Sequence, residues 1–328
     1  MQPDSRMDLT IGPNQYFWDA AVWQDFYARV ADEAPVERVV LGEMVCSKRL
    51  PFYQAHILPA AERLMAAGKT VALTTLALIT LRRERKLAAE LAAAGLEVEV
   101  NDLSALAHLP EGAAFSVGPM VNVYNEGTLR WLVGRGARRV CLPPELPPAS
   151  LPVLAGACDV PLEVWGWGRL PLAISARCYH ARLHDRAKDN CQFVCDRDPD
   201  GRPVDTLDGQ PFLAVNGVQT LSAACANAAH QVNRLRAAGV SALRLSPHSG
   251  DFVALARLFR DLLDGRMDAA EFSARTMPRA PGGRFADGFL TGAAGVAWSG
   301  AQVPDADHPS RRGQEAVATA AAALAGKS

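Results

Sequence analysis

The chain has 328 residues, 49% apolar and 21% charged, enough to bury one large core or two smaller ones and too apolar for a disordered chain or a long coiled coil. Its 34 Lys and Arg against 35 Asp and Glu give a formal net charge of -1, so no overall positive field draws it to nucleic acid, and no nucleic-acid partner is expected. The longest apolar-rich run, 71–80, contains three threonines and falls well short of the roughly 20 residues of a spanning helix, so no membrane span is expected. Acidic residues near the N-terminus stand where a signal peptide would carry a basic region, which points to the cytoplasm.

In chain order, β-prone runs predict strands over 9–12, 36–41, 70–75, 96–100, 115–118, 139–142, 162–165, 212–215 and 242–245. Between them, apolar residues recurring every three to four positions predict helices over 18–31, 57–67, 81–94, 126–135, 221–238 and 252–263. Four of these helices run into Gly68, Gly95, Gly136 and Gly239, the usual left-handed stop. About eight such β/α units predict an α/β fold with a TIM-barrel-like (β/α) core. An open doubly wound sheet is the alternative, disfavoured because no GxGxxG follows the first strand. The expected organisation is one barrel-like domain over 1–295, interrupted by a cysteine-rich insert at 177–210 after the seventh strand. A low-complexity tail over 296–328 follows, nearly all Ala over 316–325.

Seven cysteines, an odd number in a chain expected to be cytoplasmic, argue against a disulfide framework. Cys141 in an apolar strand, Cys158 just before another and Cys225 on an Ala-rich predicted helix read as core. Cys178, Cys191 and Cys195 differ: spaced C-x12-C-x3-C, they sit among His180, His184, Asp185, Arg186 and Asp196 instead of apolar neighbours. In a barrel, Cys46 after the second strand and the insert after the seventh leave from the same face, where strand C-termini converge, so Cys46 is the natural fourth ligand. Spacing alone leaves open an iron–sulfur cluster, a zinc ion (with a Cys3His variant using one of the histidines) and a metal-free group.

Arg49, Arg169 and Arg177 fall near predicted strand ends and are candidates to bind an anionic substrate, as are Glu43 and Glu163 for a polar one; solvated or paired structural roles serve each equally well. No general base is assigned, so the catalytic residues stay unknown. His180 and His184 are spare ligands, proton carriers or exposed loop histidines, the last being the commoner fate. Trp165 and Trp167 are ring contacts or barrel packing, and Val215-Asn-Gly217 and Pro247-His248 end later strands as candidates to face the pocket, without specifying a reaction. Neither a GxSxG elbow nor an HExxH helix is present, so proteolysis is not expected despite the closeness of Ser175 and Cys178.

The segment Glu163-Val-Trp-Gly-Trp-Gly-Arg-Leu-Pro-Leu-Ala-Ile-Ser-Ala-Arg-Cys178 resembles the signature region of the collagenase-like peptidase family, with Trp165 where Phe is commoner. Together with Gly42-Glu-Met-Val-Cys-Ser-Lys-Arg49 and the C-x12-C-x3-C spacing, it is most similar to the members serving O2-independent ubiquinone biosynthesis, over about residues 9–295. The resemblance implies a 4Fe-4S cluster on Cys46, Cys178, Cys191 and Cys195, in place of zinc. It also implies a heterodimer with a paralogous partner, a lipid-binding accessory protein, and hydroxylation of a ubiquinone precursor. Prephenate as oxygen donor is a further and weaker implication. Other members hydroxylate RNA bases or are described as peptidases.

Overall fold

The computed structural model describes residues 6–300, so most of the expected 296–328 tail, including its Ala-rich stretch, lies outside the described residues. From the N-terminus the elements are β1 (Asp8–Ile11), α1 (Ala20–Glu33), β2 (Arg38–Leu41), α2 (Gln54–Ala66), β3 (Thr70–Thr74), α3 (Arg82–Ala92), β4 (Glu97–Val100) and β5 (Phe115–Val117). Next come α4 (Glu126–Gly134), β6 (Ala137–Cys141), α5 (Ser150–Ala155), β7 (Leu162–Ile174), α6 (Tyr179–Arg182), β8 (Arg202–Asp205), β9 (Pro211–Asn216) and β10 (Gln219–Asn227). The last are α7 (Val232–Ala237), β11 (Ala242–Leu245), α8 (Phe252–Leu263), α9 (Ala269–Thr276), β12 (Phe285–Ala286) and α10 (Gly288–Thr291).

Strands β1 to β7 pair in parallel, each with the next, and β11 closes the ring by pairing in parallel with both β1 and β7. The result is a closed eight-stranded barrel, a TIM-barrel-like α/β fold, and that closure excludes the open doubly wound sheet. Local chemistry agrees with it. Asp19, Asn125, Asp251 and Asp268 cap α1, α4, α8 and α9 by accepting a backbone N–H of the first turn. The stops at Gly68, Gly95, Gly136 and Gly239 all have φ between +74° and +110°. Helix α8 buries Phe252, Leu255 and Phe259 against the barrel wall.

Three expectations change. The helix predicted over 221–238 is strand β10, then a short 3-10 turn, then α7. Asn216 pairs with Gln219 across a two-residue turn with Gly217 at φ +68°, so β9 and β10 form a tight hairpin, and Cys225 lies on a strand, still fully buried. The Ala-rich composition of 223–229 hid this: small residues fit a strand sandwiched on both faces as well as a helix. Strand β7 is 13 residues long, not four. Its second half leaves the barrel and pairs antiparallel with β10, which carries β9 and β8 outward. The stretch 177–210 is accordingly not a plain loop; it contains α6, two 3-10 turns and β8.

The barrel interior holds charge. Arg244 on β11 lies between Glu99 on β4 and Glu163 on β7, its Nε 2.5 Å from Glu163 and its Nη1 3.1 Å from Glu99, with all three fully enclosed. Arg139 Nη1 adds a contact 3.8 Å from Glu163. Glu163 is the second residue of β7 and faces this paired interior, so of the roles weighed for it the structural pairing is the one seen, with Arg244 and Arg139 as its partners. The two arginines hold its pKa below the usual range against the opposing effect of burial.

Candidate functional site

The site is built at the end of the barrel where β2, β7 and the β9–β10 hairpin meet. After β2, Gly42 turns at φ +114° and Glu43 points inward, and the loop curls around its carboxylate. Oε1 accepts the N–H groups of Val45 at 2.6 Å and Cys46 at 2.9 Å, and Oε2 accepts the Tyr53 hydroxyl at 2.6 Å. Glu43 therefore positions Cys46 and is not a free substrate ligand. Burial raises its pKa, opposed by Arg49 and by these three hydrogen bonds.

Cys178 is the N-cap of α6: its Sγ accepts the Ala181 N–H at 3.4 Å, and its thiol reaches the Gly217 carbonyl at 3.2 Å. Cys191 and Cys195 flank a tight double turn in which Gln192 (φ 47°) and Phe193 (φ 54°) adopt the left-handed region; the third such non-glycine, Asp185, lies in the same segment. Left-handed backbone at residues other than glycine costs energy, and here it is concentrated between ligand candidates.

Cys46, Cys178, Cys191 and Cys195 line one small cavity, together with Arg49, His180 and Gly217. Cys178 and Cys195 are buried, Cys46 and Cys191 half-buried. Arg49 is 1% exposed, donating from Nη1 to the Gln15 carbonyl at 3.0 Å and from Nη2 to Asn216 Oδ1 at 2.5 Å. Burial works to lower its pKa, but Cys195, Glu43 and Cys46 more than offset this, so a full positive charge faces the thiols. Burial pushes the Cys46 and Cys195 thiols up, with Arg49 acting against it in both cases. Such an enclosure, with a fixed cation and an N–H pointing at sulfur, suits a group bearing negative charge on thiolates.

The remaining candidates divide. Arg169 lies mid-strand in the lengthened β7, 4% exposed, and donates to the carbonyls of Asp200 (3.0 Å), Ser222 (2.8 Å) and Ala223, so it ties β7 to the hairpin and is not at a strand end. Arg177 is exposed and lines a wide groove of about 1000 Å³ beside the cysteines, with Lys48, Arg83, Arg182, Arg186 and Lys188. Trp167 is buried in the core, its Nε1 donating to His248 Nε2 at 2.9 Å, while Trp165 packs with Leu170 and Ala226. His180, expected in an exposed loop, is fully buried.

A matching family model covers residues 21–299 and is described as peptidase family U32. The chain belongs to peptidase family U32. A structural neighbour from Coccidioides immitis that carries the name of a fructose-1,6-biphosphate aldolase is 11% identical, with TM-score 0.37, covering 81% of this chain and 88% of that one. In this U32 chain, sequence reasoning missed Tyr53 and Asp198 as parts of the site, whereas Asn216 and Gly217, named at the end of a predicted strand, do lie at it: Gly217 lines the cysteine cavity and Asn216 accepts from Arg49. It also missed a cavity of about 220 Å³ lined by Phe17, Trp18, Phe26, Arg29 and His248, separated from the cysteines by the ring cluster Phe17, Phe52 and Phe193. Among the described residues, no helix is long and apolar enough to cross a membrane.

Proposed function

We propose that this U32 chain is the iron–sulfur subunit of an O2-independent hydroxylation system in ubiquinone biosynthesis. In this reading it resembles UbiV, is cytoplasmic and pairs with a UbiU-like paralogue as a heterodimer. The observation that carries the proposal is the single cavity lined by Cys46, Cys178, Cys191 and Cys195. These four would hold a 4Fe-4S cluster, which supplies one-electron transfer when bound. Arg49 would offset the thiolate charge, the Ala181 N–H would bond a ligand sulfur, and Glu43 would fix the loop carrying Cys46.

The ring-lined cavity of about 220 Å³ next to the cysteines has room for a single aromatic ring such as a ubiquinone precursor, with Arg29, His248, Ser249 and the carboxylates of Asp19, Asp25 and Asp196 as polar groups. A lipid-binding accessory protein would present that precursor, and prephenate would be the oxygen donor. A second reading, a non-catalytic metal-bearing partner of an active paralogue, is favoured by the structural bonds that occupy Arg169 and Glu163. The test is an anaerobic reconstitution of chain, paralogue and accessory protein with prephenate, following ring hydroxylation by mass spectrometry. Activity that needs both subunits and falls with Cys46→Ser is the expected result. Activity that survives loss of this chain's iron favours the non-catalytic partner, and hydrolysis of peptides or hydroxylation of RNA by the same preparation would refute the proposal.

A further inference from the structure

Beside the cysteine cavity, His180, His184 and Asp198 bring one donor atom each to within 4.8 Å of one another, the one such three-residue set among the described residues. Two are on α6 and its C-terminal end, four positions apart, so their rings project from one face; they lie nearly parallel, 17° between planes and 5.6 Å between centroids. Asp198 arrives from the end of the 3-10 turn that carries Cys195, and Asn216 Nδ2 holds its backbone carbonyl at 2.8 Å.

The inward-facing atoms of this group are buried and lack an aligned hydrogen bond. His180 Nε2, His184 Nε2 and Asp198 Oδ2 have no hydrogen-bond partner, although His180 is fully enclosed. His180 Nε2 and Asp198 Oδ2 are 3.0 Å apart, a hydrogen-bond distance, yet not aligned as a hydrogen bond. Leaving three polar atoms unsatisfied costs about 1–3 kcal/mol each, so a native fold retains them for a reason. Two ligand atoms each about 2.1 Å from one metal ion are about 3.0 Å apart at a right angle and about 3.4 Å apart in a tetrahedron, and the His180–Asp198 pair matches the first.

We infer that His180, His184 and Asp198 form a binding site for one divalent first-row transition ion, separate from the four cysteines. Two imidazoles and one carboxylate are a donor set for zinc, iron(II) or cobalt(II), with positions left open for water or a small oxygen ligand. The same residues read as a proton relay would need an aligned His180–Asp198 hydrogen bond, which is not formed. The inference does not rest on the nature of the group at the cysteines.

Cobalt(II) is the probe. Titrated anaerobically into the chain as purified, it should give weak ligand-field bands without sulfur-to-cobalt charge transfer, at one ion per chain in addition to any metal on the cysteines. His184→Gln and Asp198→Asn should each weaken that binding at least about 100-fold, since even outer partners of a ligand cost 10–100-fold, while iron and sulfide contents stay at the wild-type level. A Cys46→Ser, Cys191→Ser variant should retain the cobalt bands. If the His184 or Asp198 variant misfolds, X-ray absorption of zinc-loaded Cys46→Ser, Cys191→Ser protein decides: imidazole and oxygen scattering supports the site and sulfur scattering overturns it. Cobalt binding that persists in both ligand variants, shows sulfur charge transfer in the Cys46→Ser, Cys191→Ser protein, or is missing from the wild type also overturns it. The cobalt and X-ray readouts do not depend on the iron content, so failure here and failure of the iron–sulfur proposal are separable.

Discussion

Gly217 makes the sharpest prediction about how the site is held. It turns the β9–β10 hairpin at φ +68°, and a Cβ built there would lie 2.3 Å from Arg49 Nη2. Ala at that φ costs about 1–2 kcal/mol for the left-handed backbone alone. The guanidinium cannot swing away freely, because it is 1% exposed and bonded to Gln15 and Asn216. Displacing it would sacrifice at least one hydrogen bond of a charged group, about 1.5–3 kcal/mol, bringing Gly217→Ala to about 2.5–5 kcal/mol. Gly265 provides the control: it has φ +72° and nothing within 4 Å of its built Cβ, so Gly265→Ala should lose only the backbone part. Urea unfolding of the two variants should separate them by about 1.5–3 kcal/mol, and Gly217→Ala should also lose metal from the cysteines. Equal losses in the two variants would refute the claim that this glycine is required by Arg49.

Glu43→Gln retains shape but replaces a charged acceptor of three hydrogen bonds, so it should cost about 1–3 kcal/mol and lower the occupancy of the cysteine site, read by metal analysis beside thermal melting. The acid limb of stability should depend on Glu97. Burial opposes its ionisation, but its two bonds from Arg38, at 3.2 and 2.8 Å, outweigh that and depress its pKa. Its contribution is therefore complete above the unfolded carboxylate value of about 4.3 and is lost as pH falls through the lower folded value. Glu97→Gln should be less stable at neutral pH and flatten the loss of stability below about pH 4. An unchanged slope in urea midpoints from pH 6 to pH 3 would contradict this.

Sequence legibility followed the physics of each element. The barrel was readable because Val- and Leu-rich strands such as 70–74 and 242–245 are bounded by helix-stopping glycines with the expected φ. The lengthened β7 was not, since Gly166, Gly168 and Pro171 interrupt its pattern while pairing with β10 and β11 supplies the order. Nearness of Cys46 to the insert followed from topology: both leave strand ends on one face, and one cavity indeed touches all four candidate cysteines. Charge pairing inside the barrel was not readable for Glu99 and Arg244, which look like ordinary surface residues until closure places them opposite Glu163. The burial of Arg49 was hidden for the same reason: its partners Gln15 and Asn216 are 34 and 167 residues away.

The central claim is that four thiols gather to hold one iron–sulfur cluster, and iron and acid-labile sulfide measured after strictly anaerobic purification address it directly. The account predicts about four of each per chain, with a visible absorption that air bleaches and that Cys46→Ser or Cys195→Ser abolishes. A colourless protein carrying zinc and no sulfide, or iron content unchanged by either substitution, would contradict it.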